Sequence, residues 1–228
     1  MKTQNLAGTA LPQLLRLASP MLPVGAYAYS QALEWAVEQG TVAGEESALN
    51  WIGDALHWSV GTLEAPVWGR LYRAWQAGDV ETARRWNDRF SALRETAEFR
   101  AETRQTGSAL KAVLEATREI ELGPLDAIEV PTFPCVFSFA AHGLGVSMRE
   151  GLIAYLWAWA ENQVSAAMKL VPLGQSSGQR ILVKLIAYLP EVADRALALS
   201  EEGLSNFAPA LAIASSRHET QYTRLFRS

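Results

Sequence analysis

Three histidines, His57, His142 and His218, and the single cysteine, Cys135, are the side chains best suited to a transition metal. Cys135 and His142 lie seven apart, on one face of a helix but about 10 Å apart along its axis. One ion needs donors at about 2.0–2.3 Å, so this pair cannot chelate it alone on a straight helix. Cys135, His142 and His218 remain weak metal candidates. Burial is the plainer reading for the first two, and a site shared between two copies stays open. Nucleophilic chemistry finds no GxSxG elbow and no Ser or Cys with a nearby His. Gly174-x-x-x-Gly178-Gln179-Arg180 places glycines before a helix, where backbone N–H groups could hold an anion. It lacks the lysine and preceding strand of a Walker loop, and a tight interhelical turn explains it better. The expectation is a protein that is not an enzyme and binds no cofactor directly.

Other residues point to contacts rather than reactions. Glu95, Glu98 and Glu102 alternate with Arg94, Arg100 and Arg104 at helical steps, which reads first as a solvated charge ladder. Gly107 follows in the same helix and costs about 1 kcal/mol relative to Ala, so a close approach there would explain it. Tyr27, Tyr29 and Trp35 follow a Pro-x-Gly loop; tyrosines combine apolar bodies with polar tips and are enriched at interfaces. The C-terminal segment 217–228 carries three arginines and one glutamate, a charge of +2 that leaves −6 for the rest. Tyr222, Leu225 and Phe226 are expected on one helical stripe. An aromatic, basic terminus of this kind suits a partner's groove. Folding back onto its own core is the alternative.

Helical periodicity must position these residues. Helices are expected over 11–18, from a Ser30 cap to Gly40, and over 45–61, 65–77, 80–93, 94–122, 131–144, 148–170, 178–189, 190–199 and after Pro209. No strand run or repeat is evident. The fold class is all-α, a single irregular bundle of about ten helices.

Composition bounds the class of function. The 228 residues are 49% hydrophobic and 19% charged, enough for one sizeable core. A net charge of −4 and a pI near 5.5 argue against nucleic acid. The most apolar stretch, 152–171, holds Glu161, Asn162, Gln163 and Lys169, so no membrane span is expected. A lone cysteine fits a reducing, cytoplasmic setting.

Four segments in order carry a family resemblance: Leu22-Pro23-Val24-Gly25-Ala26-Tyr27-Ala28-Tyr29-Ser30-Gln31-Ala32-Leu33-Glu34; Arg100-x-Glu102-Thr103-Arg104-x-x-Gly107; Pro172-Leu173-Gly174-Gln175-x-x-Gly178-Gln179; and His218-Glu219-Thr220-Gln221-Tyr222-x-Arg224-Leu225-Phe226-Arg227-Ser228. Together they resemble the UreF family of urease accessory proteins. The family usually has glycine, serine and glycine where Ala26, Ala28 and Ala32 stand. Composition does not shift along the chain, so one domain over 1–228 is expected, with flexible termini at 1–10 and 218–228. The resemblance implies an all-α fold and a cytoplasmic homodimer. It also implies a non-catalytic nickel-insertion co-chaperone that binds UreD (or UreH), the GTPase UreG and urease apoprotein. Nickel and GTP are handled by that complex. A nickel-binding metallochaperone is the alternative. The candidate partner-binding residues are Tyr27, Tyr29, Ser30, Glu34, Arg100, Glu102, Arg104, Gln175, Gln179, His218, Glu219, Tyr222, Arg224, Leu225, Phe226 and Arg227.

Overall fold

A computed structural model describes residues 10–228. The expected flexible segment 1–10 lies outside it except for Ala10, which opens the first helix. The elements are α1 (Ala10–Leu17), α2 (Leu33–Glu38), α3 (Glu45–Ala55), α4 (Ala65–Ala77), α5 (Val80–Leu93), α6 (Ala97–Thr117), α7 (Gly123–Asp126), α8 (Phe133–Gly143), α9 (Met148–Leu170), α10 (Gln175–Ala198) and α11 (Pro209–His218). A π-helical stretch, Leu56–Glu64, joins α3 to α4 as one rod. The described residues form an all-α bundle with no strand.

The bundle is built around α9. Its two ends are capped by local chemistry: the Ser147 hydroxyl accepts from the Glu150 amide at 3.3 Å, and the chain turns extended at Val171. Leu152, Tyr155, Leu156, Trp159 and Val164 are all buried, so apolar residues cover most of its circumference, as a central helix requires. α10 returns against it as a hairpin partner, and α1, α2, α3, α4 and α8 pack around the rest. The aromatic centre is Trp68, Tyr72, Phe133, Phe137 and Tyr155, with the Phe137 and Tyr155 rings edge-to-face at 5.1 Å. A fully buried side chain of this size contributes roughly 1.5–3 kcal/mol.

Two expected breaks are absent. The helix expected to end at Gly61 runs on. In the wider π turn the Leu56 carbonyl sits where a Cβ on Gly61 would meet it at 2.8 Å, so glycine makes room instead of ending the helix. Pro66 offers no N–H to the Thr62 carbonyl, and the Ser205 amide takes that acceptor at 3.1 Å. Likewise Pro190 lies inside α10 rather than dividing it. Gly107 meets the expected close approach: a Cβ there would stand 2.3 Å from the Pro131 carbonyl oxygen, where α6 crosses the entry to α8. Gly178 lets α10 close on the Met168 sulfur, so the glycine pair of 174–178 serves a tight helical turn.

Candidate functional site

The loop 20–32 sets up the site. Gly25 turns through a positive φ of 75°, and Gln31 and Ala32 both stand in the left-handed region at φ 49° and 66°. Non-glycine residues rarely do so. The geometry is held from outside: the Trp159 indole donates to the Gln31 amide oxygen at 2.8 Å, and the Gln31 amide nitrogen donates to Glu102 at 2.7 Å. The kink aims Ser30 and Glu34, at the start of α2, toward the C-terminal segment.

That segment is latched by buried side chains. The Glu34 carboxylate accepts the amides of Leu225 at 2.6 Å and Phe226 at 2.9 Å, and faces His218 Nε2 at 3.2 Å. Glu98 accepts from Arg224 at 2.9 Å and faces His218 Nδ1 at 2.8 Å. The His218 ring is therefore clasped between two carboxylates in the interior. The Ser30 amide and hydroxyl both donate to the Ser228 carbonyl, at 2.8 and 2.5 Å, while the Arg227 amide donates to Ala28. The Ser228 hydroxyl donates to Glu102 at 3.0 Å. Phe226 is buried under Lys169, whose ammonium lies 5.6 Å from the ring centre. Glu219 accepts the amides of Ala97 and Glu98 at the start of α6, where a negative charge is favoured.

Beneath the loop lies a cavity of about 560 Å³, with Leu17, Val24 and Leu182 among its walls and Glu64, Arg94, Glu102 and Tyr155 as polar lining. Arg94 pairs with Glu64 at 3.4 Å and lies over the Phe90 and Phe99 rings, and Tyr155 donates its hydroxyl proton to Glu64. Burial drives the Glu102 carboxyl up to about 7 from its ordinary 4.5, against the opposing bond from Gln31. Burial also raises the Tyr29 phenol, with the Arg227 bond opposing it. The cavity thus holds an acid that is part-ionised near neutral pH, close to a buried ion pair.

The structure sorts the expected site residues into two sets. Tyr29, Ser30, Glu34, His218 and Phe226 are buried as the latch, so their side chains are not displayed to a partner. Tyr27, Tyr222 and Leu225 are exposed, at 69%, 102% and 66%, and Arg224, Arg227, Glu219, Gln175 and Gln179 also reach the surface. The expected Tyr222–Leu225–Phe226 helical stripe does not form, because α11 ends at His218 and Glu34 takes the Leu225 and Phe226 amides that a helix would use. The segment 218–228, expected as a flexible terminus, is packed on the body for the same reason. Arg100 ties down the carbonyls of Arg94 and Glu95, and Arg104 binds the Ser91 hydroxyl at 2.9 Å. Both therefore order the entry to α6. The charge ladder is only partly solvated: Arg94, Glu98 and Glu102 turn inward. Glu64, Gln31, Trp159 and Tyr155 were missed, since each is an isolated polar or aromatic residue in an apolar helix or loop.

The weak metal candidates are not brought together. Cys135 is fully buried and burial pushes its thiol up, away from the thiolate a metal needs. The His142 ring packs edge-on against Tyr72 at 5.5 Å. Among the described residues no group of three His, Cys, Asp or Glu side chains could hold an ion, and no helix is long and apolar enough to cross a membrane.

The UreF family model matches residues 42–186, well over half of the chain. The chain belongs to the UreF family. It is 53% identical to the urease accessory protein UreF of Azoarcus sp. strain BH72, covering 98% of this chain and 99% of that one. It is 48% identical to the UreF protein of Methylobacillus flagellatus, over 96% and 98%. With that of Dechloromonas aromatica it shares 50% identity over 96% and 97%. The latch lies outside the matched 42–186 span at both ends, in Ser30, Glu34 and the residues from His218 onward.

Proposed function

We propose that this chain is a cytoplasmic, non-catalytic urease accessory protein that acts in urease maturation as a homodimeric scaffold. In this reading it docks a UreD (or UreH) partner and the GTPase UreG onto urease apoprotein, and couples GTP hydrolysis to assembly of the nickel centre. Nickel and GTP are cargo and fuel of the complex.

The observation that carries the reading is the latched tail. Its inward atoms are held by Glu34, Glu98 and Ser30, while Tyr222, Leu225, Arg224 and Arg227 are presented outward on a rigid base. Pre-ordering such anchors removes much of the entropic cost of binding. Deleting 220–228 is expected to abolish co-purification with UreD while helical circular dichroism persists. Full capture by the truncated chain would contradict the role of the tail.

A further inference from the structure

The cavity under the loop 20–32 holds a buried guanidinium with donors to spare. Arg94 is 7% exposed and lines this space of about 560 Å³. A guanidinium carries several N–H donors and no acceptor. Among the described residues its one side-chain hydrogen bond is to Glu64, at 3.4 Å, and its Nε is buried without a partner. The other oxygen of Glu64 takes the Tyr155 hydroxyl. A buried donor left unpaired is costly, so the unused N–H groups call for an oxygen acceptor.

Charge narrows the choice of that acceptor. Arg94 and Glu64 offset each other, and burial already opposes ionisation of the Glu102 carboxyl within reach of both. A carboxylate or phosphate would meet Arg94 but add another anion to a site that resists one. An ammonium would leave the Arg94 donors unmet and set a second cation beside them. An uncharged amide avoids both costs. Its oxygen accepts from Arg94, and its N–H groups need an acceptor of the kind Glu102 provides. Each Glu102 oxygen accepts one bond, from Gln31 and from Ser228, and a carboxyl group has lone pairs beyond these. The Gln31 side chain displays half of this recognition. Its amide nitrogen donates to Glu102 at 2.7 Å while its oxygen accepts from the Trp159 indole at 2.8 Å. Apolar walls come from Leu17, Val24, Phe133, Ala158 and Leu182. Sites for small ligands have this make-up, with apolar walls, a few placed polar groups and volumes of about 300–1,000 Å³.

We propose that this cavity binds a small uncharged carboxamide with an aliphatic body, its carbonyl oxygen on Arg94 and its amide N–H on Glu102. The site goes beyond the docking role above and does not use the outward tail surface. Partner capture is measured separately, so either can fail without the other.

Calorimetry on the full chain at about pH 6, below the Glu102 titration near 7, compares hexanamide, hexanoate and hexylammonium. These probes share a body and differ in head group. Hexanamide should bind saturably, at least ~10-fold more tightly than either ion, because a mismatched head leaves buried polar groups unpaired. Nuclear Overhauser contacts from its methylenes to the Leu182 methyls should locate it in the unmodified chain. Ala158→Phe, with unchanged circular dichroism, should fill the cavity and abolish binding. Hexanoate or hexylammonium binding as tightly as hexanamide overturns the proposal, the latter by marking a cation site. Saturable binding by none of the probes overturns it too, leaving the cavity to water. So does hexanamide binding that shows no contact with Leu182, or that survives Ala158→Phe in a folded chain.

Discussion

Ala32 stands at φ 66°, fully buried, as the residue that begins α2. A Cβ in that conformation costs roughly 1–2 kcal/mol, and glycine there relieves it. Ala32→Gly is expected to raise unfolding stability by about 0.5–1 kcal/mol, after the entropy glycine loses on folding, measured by urea titration. Glu102 makes a second residue-scale prediction. Its folded carboxyl titrates near 7 against 4.5, so the unfolded state ionises first. The stability it contributes is complete below about pH 4.5 and is lost as the pH rises through about 7. Glu102→Gln should therefore match wild type near pH 4.5 and exceed it by roughly 2–3 kcal/mol at pH 8. Equal pH slopes for the two proteins would contradict the burial of this group. The residue types of this site were legible from sequence, but their direction was not. The step of four that joins Glu98 to Glu102 puts them on one side of α6 without telling whether that side meets water or Glu34's partner, His218.

At the scale of elements, the sequence was most legible where caps and apolar periodicity agreed. The expected ranges 80–93 and 148–170 coincide with α5 and α9, which begin at the capping residues Asp79 and Ser147. Misreadings arose where a distant group satisfied the backbone. Ser205 takes the carbonyl freed by Pro66, and Glu34 takes the amides that would have made the tail helical. Glycine was ambiguous for a related reason, since Gly61 and Gly107 both serve close contacts within or between helices. Gly107→Ala should destabilise the fold by about 2–3 kcal/mol, because Pro131 and Thr132 backbone must move. Glu34→Ala leaves His218 Nε2 and two tail amides unpaired, while Nδ1 keeps Glu98; each orphaned group costs about 1–3 kcal/mol if it stays buried. The tail is then expected to detach, with amide exchange at Leu225, Phe226 and Arg227 accelerated while α9 stays protected. Unchanged exchange at these positions would show that Phe226 packing alone holds the segment.

For the whole molecule, the +2 charge of the tail is spread by the latch: Arg224 is drawn to Glu98, and Arg227 reaches Gln105. The composition suggested a basic appendage on an acidic body, whereas the fold makes the two one surface. In the proposed reading docking depends on outward side chains carried by inward hydrogen bonds, and the two can be separated by mutation. Tyr222→Ala with Leu225→Asp changes only exposed groups and leaves Glu34, His218 and Ser30 engaged. The affinity of this double variant for purified UreD tests the account most directly. Anchors that act as hot spots predict binding at least ~30-fold weaker than wild type, with folding stability unchanged. Affinity within about threefold of wild type would contradict the tail surface as the docking element.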